Sequence, residues 1–220
     1  MSGPPESGRP EPRWPVALSI FTLLILIAVL PHHYRLLPSW GAFVVAAIVW
    51  LSMFAVAFGS SKVRWLWIEG VVLKAFALFL ILVAGVSLVA LIRDIVSGPT
   101  KPSGLELLTS SVAIWACNVL AFSLLYWQLD GGGPVRLQQG RGGKADWLFA
   151  QPGTSESASP GWQPVFVDYL FLAFSTATAF STTDTVPLTP KAKLLMMLEA
   201  AISMVTLVVI ASRAINVLGS

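Results

Sequence analysis

Apolar residues run along this chain in long blocks broken by short polar stretches, and the blocks are measured against the membrane. A helix needs about 20 apolar residues to cross a hydrocarbon core of ~30 Å. Five stretches approach or meet that length: Val16 to Leu30, Trp40 to Phe58, Gly70 to Ile92, Leu107 to Leu129 and Pro190 to Leu218. The first follows Arg9 and Arg13 and is short enough to suggest a signal peptide. It ends Ala28-Val29-Leu30-Pro31 without a small-x-small cleavage site, so it reads as an uncleaved span. Trp14, Trp40, Trp65, Trp67, Tyr126 and Trp127 fall near the ends of runs, where amphipathic rings anchor at headgroup level. Trp50 and Trp115 fall deeper and are expected to pack between helices.

Between the fourth and fifth runs the pattern changes twice. Residues 130–163 carry eight glycines and the run Gly153-Thr154-Ser155-Glu156-Ser157, the composition of a flexible surface loop. Its Arg141-Gly142-Gly143-Lys144 lacks the spacing of a phosphate loop, because Gln138 stands where a glycine is needed and Ala145 follows the lysine. Then comes Pro164 to Thr178, apolar and aromatic in its first two-thirds, with a proline suited to a first helical turn. About fifteen residues of helix reach only ~22 Å, short of a span. The following residues to Pro187 have no spanning character. Ser175, Thr176, Thr178, Ser181, Thr182, Thr183 and Thr185 place seven hydroxyls in eleven residues. Two readings fit: a re-entrant helix and return strand whose hydroxyls replace part of an ion's hydration shell, or an interfacial amphipathic helix and a solvated turn.

Composition confirms the class. Of 220 residues, 55% are hydrophobic and 11% charged, against roughly 25% charged in soluble domains. The expected fold is an all-α integral membrane protein of five transmembrane helices with a re-entrant helix and loop before the last. Residues 1–14, with Pro4, Pro5, Pro10 and Pro12, form a disordered tail. Residues 15–93 hold three peripheral helices. Residues 107–218 form the remaining unit: outer helix 107–129, loop 130–163, short helix and return 164–189, inner helix 190–218. The net charge of +3 makes no basic face, so no nucleic-acid partner is expected. The single cysteine, Cys117, allows no intramolecular disulfide.

Polar groups at membrane depth are the remaining candidates. Lys74 can snorkel to the interface. Asn118 is expected to hydrogen-bond across a helix pair. Glu199 falls about 15 Å beyond Thr189 along its helix and shares a face with Ser203; it either bonds a neighbouring helix or faces an ion pathway. His32 and His33 project differently from one backbone and have no carboxylate nearby in sequence, so no metal site is expected. No constellation of base, nucleophile or metal ligands supports an enzyme, and no cofactor is implied.

The stretch Thr176-Ala177-Thr178-Ala179-Phe180-Ser181-Thr182-Thr183-Asp184-Thr185-Val186-Pro187-Leu188-Thr189 resembles the pore signature of potassium channels, T-A-T-T-V-G-Y-G-D-x-x-P-x-T, without a gap. Thr176, Ala177, Thr178, Asp184, Pro187 and Thr189 agree. Leu194-Leu195-Met196-Met197-Leu198-Glu199-Ala200 is similar to the L-x-x-L-E-A of bacterial two-span channels, and Phe166 to Ser175 resembles their pore helix. The resemblance covers about residues 162–217. It implies a homotetramer, a lipid-embedded pore for monovalent cations, and filter-like residues Thr178, Ala179, Phe180, Ser181, Thr182, Thr183 and Asp184, with Glu199 and Ser203 on the inner helix. It also implies a bacterial inner membrane. Both filter glycines are replaced, by Ser181 and Thr183, so stacked carbonyl rings of the potassium type are not expected. The five-span layout is also similar to an uncharacterised family of bacterial membrane proteins. A non-conducting accessory protein on the same scaffold is the alternative reading. A transporter is third, without inverted repeats to support it.

Orientation is opposed by charge. An external loop leaves nine basic residues outside (Arg9, Arg13, Lys62, Arg64, Arg136, Arg141, Lys144, Lys191, Lys193) against Arg35, Arg93, Lys101 and Arg213 inside. The positive-inside rule favours the reverse, and the resemblance favours the loop outside.

Overall fold

The structure is a computed structural model that describes residues 14–31, 41, 44, 47, 48, 50, 51, 62–97, 104–130, 145–150, 162–178 and 185–218. Its elements in chain order are α1 (Trp14–Val29), α2 (Lys62–Ser97), α3 (Gly104–Leu129), β1 (Trp147–Phe149), α4 (Phe166–Thr178), β2 (Thr185–Pro187) and α5 (Pro190–Leu218). Among the described residues three segments are long and apolar enough to cross a membrane: Trp67–Val96, Gly104–Leu129 and Pro190–Ser212. The chain is therefore membrane-embedded. The first expected span is a shorter apolar helix, Trp14–Ala28. The second, residues 40–58, lies mostly outside the described residues.

Helix α3 is the centre of the molecule. The apolar window of α3 is 67% buried, that of α2 39% and that of α5 22%. Helices α1, α2, α4 and α5 all pack against α3. From α1, Val16, Ile20 and Leu23 are buried, and from α2, Leu73, Phe76, Ala77 and Leu80. They meet Cys117, Ala121, Phe122, Leu124 and Leu125 of α3 in one core. With lipid as the surrounding medium, this contact rests on close packing and interhelical hydrogen bonds more than on exclusion of water. A smaller cluster of Leu30, Leu88, Leu91, Leu107, Ala113 and Ile114 continues the packing around the start of α3.

Helix α4 has 13 residues and reaches about 20 Å, too short to cross. It begins at Phe166, two residues after Pro164. The Asp168 carboxylate accepts the Val165 N–H at 2.8 Å, so a side chain in the first turn reaches back to the backbone N–H just before the helix. Its buried face of Phe166, Tyr169, Leu172, Ala173, Thr176 and Ala177 lies against the core, and Trp115 meets Phe174 edge to face at 5.8 Å. The opposite face, Val167, Phe171 and Phe174, is about half exposed or more.

The polar connector differs most from expectation. Within residues 130–163, read from composition as flexible loop, Trp147–Phe149 forms a strand antiparallel to β2, with Trp147 opposite Pro187, Leu148 opposite Val186 and Phe149 opposite Thr185. The fold is thus not wholly helical. Trp147 and Phe149 point into the core while Leu148 points out, the period of two of a half-buried strand. Phe149 packs on Tyr169 at 5.3 Å and on Trp162 at 6.1 Å. Flanking glycines and serines hid this aromatic strand from a compositional reading.

Two ring assignments also change. Tyr126 and Trp127, expected as interfacial anchors, are buried. Tyr126 bonds Glu199, and Trp127 meets Phe166 edge to face at 5.9 Å. Trp14 and Trp67 are exposed.

Candidate functional site

Helix α4, the return through β2 and the start of α5 make a hairpin whose two ends are fixed by side chains. Asp130, the residue after α3, accepts hydrogen bonds from the Asp146 N–H on Oδ1 and from the Tyr169 hydroxyl on Oδ2, both at 2.6 Å. One carboxylate thereby ties α3, the approach to β1 and α4 together. Asp146 in turn accepts the Thr189 hydroxyl at 2.6 Å and pairs with Lys191 at 3.0 Å, while its backbone carbonyl accepts the Leu188 N–H at 2.8 Å. Thr189 also accepts the Ala192 N–H at 3.2 Å, which makes it the N-cap of α5, with Pro190 at the first helical position where its missing N–H is harmless. The chain 169–130–146–189 is a polar clasp that sets where α4 enters and where α5 begins.

Trp147 is the apolar half of the clasp. It is 2% exposed, its ring lies 4.8 Å from that of Tyr126, and its indole N–H donates to the Met196 sulfur at 3.4 Å. Strand β1 therefore bridges α3 and α5 while pairing with β2. Of the described residues between α4 and α5, Thr185 to Pro187 pair with this strand, and Leu188 and Thr189 bond to Asp146.

Of the filter-like residues, Thr178 closes α4 and donates its hydroxyl to the Phe174 carbonyl at 2.9 Å. Thr176 does the same to Leu172 at 2.8 Å. Two of the seven hydroxyls thus bond their own helix. Ala179, Phe180, Ser181, Thr182, Thr183 and Asp184 lie outside the described residues, between α4 and β2. So do His32, His33 and the Arg141 to Lys144 stretch. Among the described residues no group of three metal-ligating side chains comes together.

Glu199 and Ser203 are brought together, but against α3. Both have no exposed surface. Tyr126 donates its hydroxyl to Glu199 Oε2 at 2.5 Å. Asn118 Nδ2 donates to Ser203 Oγ at 2.9 Å and to the Glu199 carbonyl at 3.4 Å. The expected interhelical bond of Asn118 is present, and of the two readings of Glu199 the one in which it bonds a neighbouring helix is the geometry observed.

Sequence reasoning did not single out Asp130, Asp146, Trp147 or Tyr169. A signal for Trp147 existed: Trp147-Leu148-Phe149 is an apolar island inside a glycine-rich stretch. No protein-family model, curated protein or solved structure matches the chain.

Proposed function

We propose that the chain is one subunit of a homotetrameric, channel-like protein of a bacterial plasma membrane, a weakly selective cation pore with a non-standard filter. The observation that carries this reading is the hairpin: a 13-residue helix too short to span, packed on α3 and α5, followed by a return strand pinned by Asp146 and Thr189. A helix in and a strand out at membrane depth is tolerated where protein or an aqueous cavity surrounds the return segment. One hairpin cannot close a pore, and symmetry would supply the others.

The distribution of burial supports the same assembly. Helix α5 is the least covered of the three long helices, with 22% of its apolar stretch buried against 39% for α2 and 67% for α3, and it leaves Leu194, Met197, Met204 and Val208 open. In the tetramer that face meets neighbouring subunits, and α1 and α2 lie outermost.

A second reading has two observations in its favour. Glu199 and Ser203 face α3 instead of an ion path, and the Thr176 and Thr178 hydroxyls bond their own helix. These suit a non-conducting accessory protein on the same scaffold.

Planar bilayers separate the two. A cation current is expected under a potassium/sodium gradient, with poor discrimination between the two ions, because hydroxyls and a ring of Asp184 attract cations without choosing finely among them. Asp184→Asn should reduce that current. A strongly potassium-selective current would contradict the proposed filter chemistry, and silence from intact tetramers would favour the accessory reading.

A further inference from the structure

The seam between α3 and α5 leaves two buried acceptors without a donor. Glu199 Oε2 receives the Tyr126 hydroxyl, while Glu199 Oε1 is fully buried with no donor. Asn118 gives its N–H groups to Ser203 and to the Glu199 carbonyl, and its own Oδ1 is likewise buried with no donor. Both residues have no exposed surface, and both unpartnered atoms are acceptors.

Among the described residues, none pairs a positive charge with Glu199. Toward Glu199, α3 presents Tyr126 and Asn118, α5 presents Ser203, and β1 closes against Met196 through Trp147. Helix α4 directs its Tyr169 hydroxyl to Asp130 and its Thr176 hydroxyl to Leu172. Of the titratable groups described on α2, namely Glu69, Lys74, Arg93 and Asp94, none is paired with Glu199. Among the described residues, Tyr126 is the one side chain bonded to the Glu199 carboxylate. A buried carboxylate with one donor and no countercharge among the described residues is incomplete, since buried charges in proteins are paired or neutralised.

We propose that the α3–α5 seam holds a cation-binding site within each subunit, built on Glu199 with Asn118 beside it, which takes one positive charge as a proton or an alkali metal ion. Glu199 Oε1 is its open acceptor, and Asn118, bonded to the Glu199 backbone carbonyl, borders it. The site lies between two helices of one chain and stands whether or not the chain conducts. A water molecule would meet the acceptor without neutralising the charge, so the occupant and not merely the hydrogen bonds defines the site.

Melting of the purified full-length chain in mild detergent, followed by tryptophan fluorescence, tests this in two arms. In the first, pH is raised from about 6 to about 9 in choline chloride. In the second, at fixed pH, sodium or potassium replaces choline at constant ionic strength. A shift of about 5 °C or more is expected in one of them. A proton as occupant makes the melting temperature fall as pH rises, because the folded chain holds a proton that the unfolded chain releases. An alkali ion as occupant makes it rise saturably with that ion and not with choline.

Glu199→Gln, which brings its own donor and no charge, is expected to lose the dependence while remaining folded. Asn118→Ala, which keeps the carboxylate, should weaken it and serves where the glutamine variant does not fold. A wild type flat in both arms, as a water molecule alone would give, overturns the site. So does a dependence that survives Glu199→Gln unchanged.

Discussion

Trp147→Ala is expected to cost about 3–5 kcal/mol, the range for removing a large aromatic side chain from a packed interior. The indole fills the space between Tyr126 of α3 and Met196 of α5, and alanine leaves a cavity that two helices held elsewhere along their length cannot close. For a chain of this size the melting temperature should fall by roughly 10 °C. Trp147→Phe keeps most of the apolar volume and gives up the N–H contact to sulfur, so its loss should be smaller. The order wild type, phenylalanine, alanine in a detergent melt is the check. Equal melting of all three would show that β1 is not part of the packed unit.

Asp130→Ala has the next largest effect. It leaves two donors, the Asp146 N–H and the Tyr169 hydroxyl, without their acceptor, each worth about 1–3 kcal/mol when orphaned in a buried place. The total should lie near 2–5 kcal/mol. Tyr169→Phe removes one of the two bonds and should cost about 1 kcal/mol. Residues that share a bond are not additive, so the double variant should be less destabilised than the sum by roughly 1 kcal/mol. Strict additivity in that cycle would contradict the hydrogen bond as drawn.

These two residues mark the boundary of what the sequence makes legible. The spans at Gly70 to Ile92, Leu107 to Leu129 and Pro190 to Leu218 are readable because lipid requires an unbroken apolar run and a helix that satisfies its own backbone. The short helix after Pro164 is readable for the complementary reason, a run too apolar for a loop and too short to cross. Asn118 is readable as a helix-to-helix bond, because a lone amide in an apolar run has few other uses.

The clasp is not local. Asp130, Asp146, Tyr169 and Thr189 meet from four separate segments of the chain, and nothing in the spacing of two aspartates announces that they join one cluster. Tyr126 and Trp127 show a different limit. A ring at the end of an apolar run has the same signature whether it faces headgroups or a neighbouring helix. Here Glu199 and Phe166 decide it, at residues far along the chain. Glu199 itself is visible as costly at its depth, but which helix it turns toward depends on the rotation of α5 against α3.

Electron cryomicroscopy of the purified protein in lipid nanodiscs addresses the proposed assembly most directly. The expected particle has four chains about one axis, with residues 178–184 nearest that axis, the open faces of α4 and α5 buried between subunits, and α1 and α2 at the periphery. A monomer, or an oligomer whose axis is lined by other residues, would contradict it.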